Sequence, residues 1–173
     1  MNNLLLEGQE TSRLLFRKVK ESDFDEWLPF HQDERSSEFW NGIPSDPLEA
    51  CEQQFDRIFE RYQKELGGMN ALILKENNLL IGLSGLLIQE VDGERELEVA
   101  YSILPQFWRQ GFATEAALKC KAYAGQQQLA QSLISIIQVS NQPSQKVAYN
   151  MQMTISKTTV YKNNPVHIYR INL

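Results

Sequence analysis

Short apolar runs typical of β-strands alternate along the chain with segments in which apolar residues recur at the three- and four-residue spacing of a helix. Strands are predicted at residues 11–19, 70–75, 79–88, 95–104, 133–139, 154–161 and 166–173. Helices are predicted around Trp27, where Ser22 or Asp23 can cap the first turn, and at residues 48–66, 114–125 and 143–150. We expect the glycine pair at residues 67–68 to close the second helix.

The predicted order of elements is β-α-α-β-β-β-α-β-α-β-β. Three consecutive antiparallel strands followed by a strand-helix-strand unit favour an α+β (mixed α/β) fold, with one twisted, mostly antiparallel sheet and helices on both faces. A length of 173 residues suits a single domain, 1–173, whose core needs neither metals nor disulfides.

Composition is that of a soluble globular protein, with 42% hydrophobic and 23% charged residues. No apolar stretch approaches the roughly 20 residues that cross a bilayer. The first residues, 1–7, lack the basic and apolar regions of a secretory signal. We therefore expect a cytoplasmic protein that does not bind membranes.

The charge and the cysteines exclude several other classes of function. A net charge of −5 opposes binding to nucleic acid and mildly attracts cations, which include protonated amines. Cys51 and Cys120 have no cysteine or histidine at metal-ligand spacing, so we predict neither a metal site nor a redox pair.

The strongest candidate for chemistry is the turn at residues 108–115, which joins a predicted strand to a predicted helix. The first amides of a helix have no partner within the helix, and the helix dipole adds partial positive charge there. Gly111 lets the backbone approach a ligand, Ala113 adds little bulk, and Arg109 can supply a full charge, so the turn suits a phosphate. Alternatively, Gly111 only permits the turn and Ala113 packs on the sheet. The chain has neither a P-loop nor a three-glycine dinucleotide motif.

Residues 98–105 and 108–116 closely resemble the acetyl-CoA-binding motif of GNAT acetyltransferases, and Trp108 is typical of the branch that acetylates ribosomal proteins. Residues 11–17 with Asp23, and residues 139–148, resemble two further segments of that branch in the right order. The resemblance implies a GNAT-like N-acyltransferase fold with acetyl-CoA as the cosubstrate. It does not identify the acceptor, which is either a small-molecule amine or a protein N-terminus, nor whether the protein is a monomer or a homodimer.

The resemblance also implies roles for particular residues. The backbone of Tyr101, Ser102 and Ile103 would pair with the pantetheine arm. Asn141 would reach the pantetheine or the acetyl end, and Ser144 would lie near the thioester sulfur. The backbone amides that would hold the pyrophosphate are those of Arg109, Gln110, Gly111, Phe112, Ala113 and Thr114.

An amine must lose its proton before it attacks a thioester. The candidate base is Glu98, which lies where the resembled branch often has a glutamate. Glu98 could instead be a solvated strand position. Ser144 is the preferred candidate for protonating the leaving thiolate and Tyr149 is the second, while helix packing or capping would also explain both.

Three departures from the family pattern bear on catalysis. Ala100 and Gln152 stand where glycines are usual, and Ala148 stands where many GNAT enzymes have a tyrosine. The departures at Ala148 and Gln152 motivate an alternative function, an acyl-CoA-binding sensor with little or no turnover.

Overall fold

The computed structural model describes residues 3–173 and shows a seven-stranded sheet in the order β1-β2-β3-β4-β5-β7-β6. The strands are β1 Leu14–Lys18, β2 Gly67–Leu74, β3 Leu79–Val91, β4 Glu94–Ile103, β5 Ser132–Gln138, β6 Thr154–Tyr161 and β7 Asn164–Asn172. The helices are α1 Phe24–Gln32, α2 Pro47–Gln63, α3 Phe112–Gln126 and α4 Gln142–Asn150. Every neighbouring pair of strands is antiparallel except β4 and β5, which are parallel. The predicted fold class and order of elements are confirmed.

Helices cover both faces of the sheet, and each face has its own apolar core. Trp27 of α1 and Ile58 of α2 pack with Leu83 of β3 on one face. Cys120 of α3 packs with Leu86 of β3 on the other face. Because β3 is covered on both sides, its middle is a continuous apolar run rather than an alternating one.

Two local predictions differ from the structure. The glycine pair does not cap α2, which ends at Gln63, but begins β2. A Cβ atom on Gly67 would lie 2.1 Å from the carbonyl oxygen of Leu86, so glycine is needed there for the close approach of two strands. Asp23 lies at the N-cap position of α1, but its carboxylate accepts hydrogen bonds from Arg17 and from the amide of Lys20 instead of capping the helix.

The helix after the candidate turn begins at Phe112, two residues before the predicted start. Residues 112 and 113 therefore belong to the first turn of α3. The amino-terminal prediction rests partly on Met1 and Asn2, which lie outside the described residues. No helix in residues 3–173 is long and apolar enough to cross a membrane.

Candidate active site

The parallel strands β4 and β5 diverge after a single pair, Glu98 with Ile134. Beyond that pair, side chains connect the two strands. The Ser135 hydroxyl donates to the Val99 carbonyl at 2.9 Å, and the amide of Ile136 hydrogen-bonds to the Glu98 carboxylate. In a continuous parallel sheet, the backbone groups of β4 and β5 would pair with each other. Here side chains satisfy some of these groups instead, and a wedge-shaped gap lies between the two strands.

Alternation along β4 decides which backbone groups face this gap. The Val99 carbonyl points toward β5, where Ser135 reaches it, and the Ala100 carbonyl points toward β3, where it accepts from the Ser84 hydroxyl. Backbone groups of successive residues in a strand point to opposite sides. The backbone of Tyr101 therefore faces the gap, as does that of Ile103, while that of Ser102 faces β3. The gap-facing carbonyl of Ile103 accepts from the Trp108 indole at 2.7 Å.

The turn before α3 contains two residues with positive φ. Gly111 has a φ of 82° and Arg109 a φ of 59°, both in the left-handed region. Within residues 3–173, no backbone or side-chain acceptor bonds to the amides of residues 109–114. Unbonded amides at a helix N-terminus form an anion site, so the geometry suits a pyrophosphate.

Arg13 of the segment before β1 fixes this turn from outside. Its guanidinium donates to the Gln110 carbonyl at 2.9 Å, lies 3.3 Å from a Glu115 carboxylate oxygen and stacks 4.0 Å from the Phe112 ring centroid. The Ser12 hydroxyl donates to the same Glu115 oxygen at 2.9 Å. The turn is therefore held before any ligand binds, which lowers the conformational cost of binding.

Glu98 lies beside the gap on the face covered by α1 and α2, and it is 8% exposed. Burial raises the pKa of its carboxyl from 4.5 to about 6. Hydrogen bonds from Gln89 and the Ile136 amide lower the pKa and so partly oppose this effect, as do the charges of Arg61 and Lys162. A solvated strand position, the alternative drawn from the sequence, does not fit this burial. The carboxyl is in an environment where it is a better base than an exposed glutamate.

A hydrogen-bond relay orients the Glu98 carboxylate. The Gln89 amide nitrogen donates to Glu98 Oε2 at 2.8 Å, while the Gln89 oxygen accepts from Arg61 at 2.7 Å and from the Tyr161 hydroxyl at 3.2 Å. Two donors on its oxygen fix which way the Gln89 amide points. The sequence did not indicate Gln89, Arg61 or Tyr161, because α2, β3 and β6 meet only in the fold.

On the opposite face of the gap, the Tyr101 hydroxyl donates to the Ser144 carbonyl at 2.9 Å and lies 3.0 Å from the Ser144 hydroxyl. Burial raises the pKa of Tyr101 to about 12, so this hydroxyl keeps its proton. The Asn141 side chain caps α4 by accepting from the Ser144 amide at 3.1 Å. Tyr149 is 76% exposed and lies about 140° around α4 from Ser144.

The structure thus brings Glu98, Tyr101 and Ser144 to the two sides of one gap, with the amide-lined turn at the end of β4. Tyr149 lies away from this group. Among residues 3–173, no three His, Cys, Asp or Glu side chains lie together in a way that could hold a metal ion.

A mixed sheet, two diverging central strands and a turn of unbonded amides form the arrangement that the sequence resemblance to the GNAT type of acetyltransferase implied. Residues 13–154 match the family model described as an acetyltransferase (GNAT) domain. The chain therefore belongs to the GNAT acetyltransferase family.

Two similar proteins come from Bacillus subtilis (strain 168). They are the uncharacterized protein YkkB, 27% identical over 95 residues, and the uncharacterized N-acetyltransferase YoaA, 25% identical over 116 residues. These matches cover 55% and 66% of this chain, and only 55% and 64% of the relatives' own lengths.

Solved structures are similar over nearly the whole chain. An acetyltransferase from Agrobacterium tumefaciens has a TM-score of 0.80 at 21% identity, covering 95% of this chain and 94% of that one. RimL, a ribosomal alpha-N-protein acetyltransferase in complex with coenzyme A, has a TM-score of 0.75 at 14% identity, covering 96% and 97%. The predicted resemblance to ribosomal-protein acetyltransferases is confirmed at the level of the fold.

Proposed function

We propose that the protein transfers an acetyl group from acetyl-CoA directly to a primary amine. The observation that carries the proposal is the single-pair contact between β4 and β5, which opens a gap next to the amide-lined turn of α3. A pantetheine chain fits such a gap as an added strand, pairing with backbone groups of Tyr101 and Ile103. The pyrophosphate then lies against the amides of residues 109–114.

The residues around the gap supply a base on one face and an acid on the other. Acetyl-CoA supplies a thioester, whose C–S bond breaks as the amine nitrogen bonds to the acyl carbon. Glu98 accepts the proton that the amine gives up, directly or through a water molecule, and Gln89 keeps its carboxylate oriented. The proposed direct transfer needs no covalent intermediate on the protein. Burial raises the pKa of Cys51 to about 11 and of Cys120 to about 12, so both thiols stay protonated and are poor nucleophiles.

Ser144 is proposed to protonate or hydrogen-bond the departing sulfur, with Tyr101 positioning its hydroxyl. Tyr149, the second candidate, has an exposed side chain that faces away from Ser144, so its position gives it less support. Ala148 is fully buried on the Ser144 side of α4, and it leaves that side without a tyrosine. We also propose that the Asn141 side chain contacts the pantetheine through its amide nitrogen, because its oxygen already accepts the hydrogen bond that caps α4.

The acceptor is proposed to enter from the α1–α2 side, where Glu98 lies. It is either a small-molecule amine or a protein N-terminus. A cytoplasmic location, one domain across residues 1–173, a monomeric or homodimeric state and the absence of nucleic-acid binding stay predictions.

The test is the release of free thiol from acetyl-CoA in the presence of a panel of primary amines, together with isothermal titration of CoA. We expect micromolar CoA binding and amine-dependent thiol release. Binding with no thiol release for any amine would instead support the acyl-CoA sensor. A protein that does not bind CoA at all would refute both.

A further inference from the structure

Three cationic side chains near Glu98 are close enough for their charges to influence one another. Arg57 and Arg61 lie one turn apart on α2, and Lys162 lies in the turn between β6 and β7. None of the three forms an ion pair with a carboxylate within residues 3–173. We call these three residues the cationic cluster.

A cleft of about 180 Å³ lies on the α2 side of this cluster, and within residues 3–173 it is lined by residues between 57 and 66 rather than by Lys162 or Glu98. Arg57 and Arg61 line it together with Leu66 and an ion pair between Glu60 and Lys64, whose charges offset each other. The cleft therefore has room for a small charged group, and its uncompensated charge is positive.

The cluster borders the proposed base. Arg61 and the Tyr161 hydroxyl both donate to the Gln89 oxygen, and the Gln89 amide donates to Glu98. The Lys162 ammonium lies 5.3 Å from the centroid of the Tyr161 ring. Arg61 is also fixed by the carbonyls of Leu66 and Ile88, so it stays in place as part of the wall. The hydrogen bonds from Arg61 through Gln89 thus connect the wall of the cleft to the Glu98 carboxylate.

Arg57 and Lys162 are exposed, so solvent moderates the repulsion among the three like charges. Burial lowers the pKa of Arg57, and the charge of Arg61 lowers it further. Burial also lowers the pKa of Lys162, as do both arginines, while Glu98 raises it. An anion in the cleft would relieve this repulsion, because opposite charges favour the ionised forms.

Lys162 lies in the two-residue hairpin turn between β6 and β7. Lys162 and Asn163 have φ values of 48° and 63°, as the two central residues of a type I′ turn do. The buried Asn164 side chain donates to the Lys162 carbonyl at 2.9 Å and accepts from the Asn41 amide at 2.7 Å. The backbone that carries Lys162 is thus held in place beside the sheet.

We infer that the acceptor is a primary amine that also carries a carboxylate or phosphate, which Arg57 and Lys162 bind while its amine lies at Glu98. This inference rests on the proposed function and adds the substrate class. The net charge of −5 suggested a preference for cations, but the charge around Glu98 is locally positive. Nearby cations also lower the pKa of the bound ammonium, which favours the neutral amine that attacks.

The experiment compares kcat/KM for matched pairs of acceptors with acetyl-CoA. Alanine is compared with alaninamide, and O-phosphoethanolamine with 2-methoxyethylamine. A peptide amide beginning Ser-Glu, compared with one beginning Ser-Gln, tests whether the anion belongs to a protein N-terminus. We expect at least one anionic member to exceed its neutral partner by about tenfold or more, the usual effect of a charge-assisted contact.

Variants separate this specificity from a general loss of activity. Arg57→Gln combined with Lys162→Gln should lower the anionic-to-neutral ratio about tenfold. The control Lys75→Gln removes a cation near the Glu10 carboxylate, remote from the cleft, and should leave the ratio unchanged. Turnover with equal or higher rates for neutral amines in every pair would overturn the inference and leave the proposed function standing. A lack of thiol release with every amine would remove both.

Discussion

Replacing Glu98 with glutamine removes the proposed base and changes the side chain by one atom. The carboxyl is buried, and its pKa is raised from 4.5 to about 6. Glutamine cannot accept a proton from the amine, so kcat/KM should fall about 100-fold or more if Glu98 is the general base. The exposed Glu94 on the same strand provides a matched control, and Glu94→Gln should retain full turnover.

The same substitution should change stability in a pH-dependent way. A carboxyl whose pKa is higher in the folded protein contributes stability below its unfolded pKa, and this contribution is lost as pH rises through its folded pKa. A shift from 4.5 to about 6 corresponds to roughly 2 kcal/mol in total, of which about 1 kcal/mol lies between about pH 5 and pH 8. Glutamine has no such dependence. Relative to wild type, Glu98→Gln should therefore gain about 1 kcal/mol on going from the lower to the higher of these two pH values.

Urea unfolding of both proteins at the two pH values measures this difference. Any fixed offset from a mispaired glutamine amide cancels, because only the change with pH is compared. A difference that stays constant between the two pH values would show that the pKa of Glu98 is not raised. A normal rate for Glu98→Gln would show that another group accepts the proton.

Two further predictions concern the cofactor turn and the proposed acid. Gly111→Val should abolish CoA binding in a titration and lower the free energy of unfolding by about 1–2 kcal/mol, because φ is 82° there. The control Gly93→Val, at a φ of 79° in the β3–β4 turn, should lose similar stability but bind CoA normally. Equal CoA binding by both variants would contradict the placement of the pyrophosphate. Ser144→Ala should lower kcat about tenfold with little change in CoA affinity. Tyr101→Phe should have a smaller effect on kcat, and a larger effect than that of Ser144→Ala would transfer the acid role to Tyr101.

The turn before α3 could be predicted from the sequence because its signal is local. A strand, a glycine and a helix start lie within consecutive residues, and unbonded amides at a helix N-terminus suit an anion. The hydrophobic pattern gave the order of the elements, and the family resemblance implied acetyl-CoA as the ligand. The resemblance also gave Glu98 as a candidate base, but it could not decide between a buried and a solvated position.

The surroundings of Glu98 could not be predicted, because they depend on long-range contacts. Arg61 and Tyr161 reach Gln89 from 28 and 72 residues away. Gly67 gives a second example. A glycine after a helix normally indicates a C-cap, and only the fold shows that it meets the Leu86 carbonyl instead. Sequence patterns thus predicted the conformation of the turn before α3 better than the surroundings of Glu98.

Base and cationic cluster are coupled electrostatically, and this coupling gives a last prediction. The charges of Arg61 and Lys162 lower the pKa of Glu98. An anionic acceptor would neutralise part of that charge, so the pKa of Glu98 should be higher in the substrate complex than in the free protein. The acid limb of the pH profile of kcat/KM reports the pKa of Glu98 in the free protein, and the acid limb of kcat reports its pKa in the substrate complex.

The two limbs can be compared for matched acceptors, such as alanine and alaninamide. With the anionic acceptor, the acid limb of kcat should lie at a higher pH than that of kcat/KM, which should lie near 6. With the neutral acceptor the two limbs should nearly coincide. Lys162→Gln removes one of the cations permanently, so it should raise the pKa of Glu98 that kcat/KM reports. For the anionic acceptor, the pH difference between the acid limbs of kcat and kcat/KM should then become smaller. Limbs that do not differ between the two acceptors would mean that the anion is bound elsewhere, and the cluster would then have no part in activating the base.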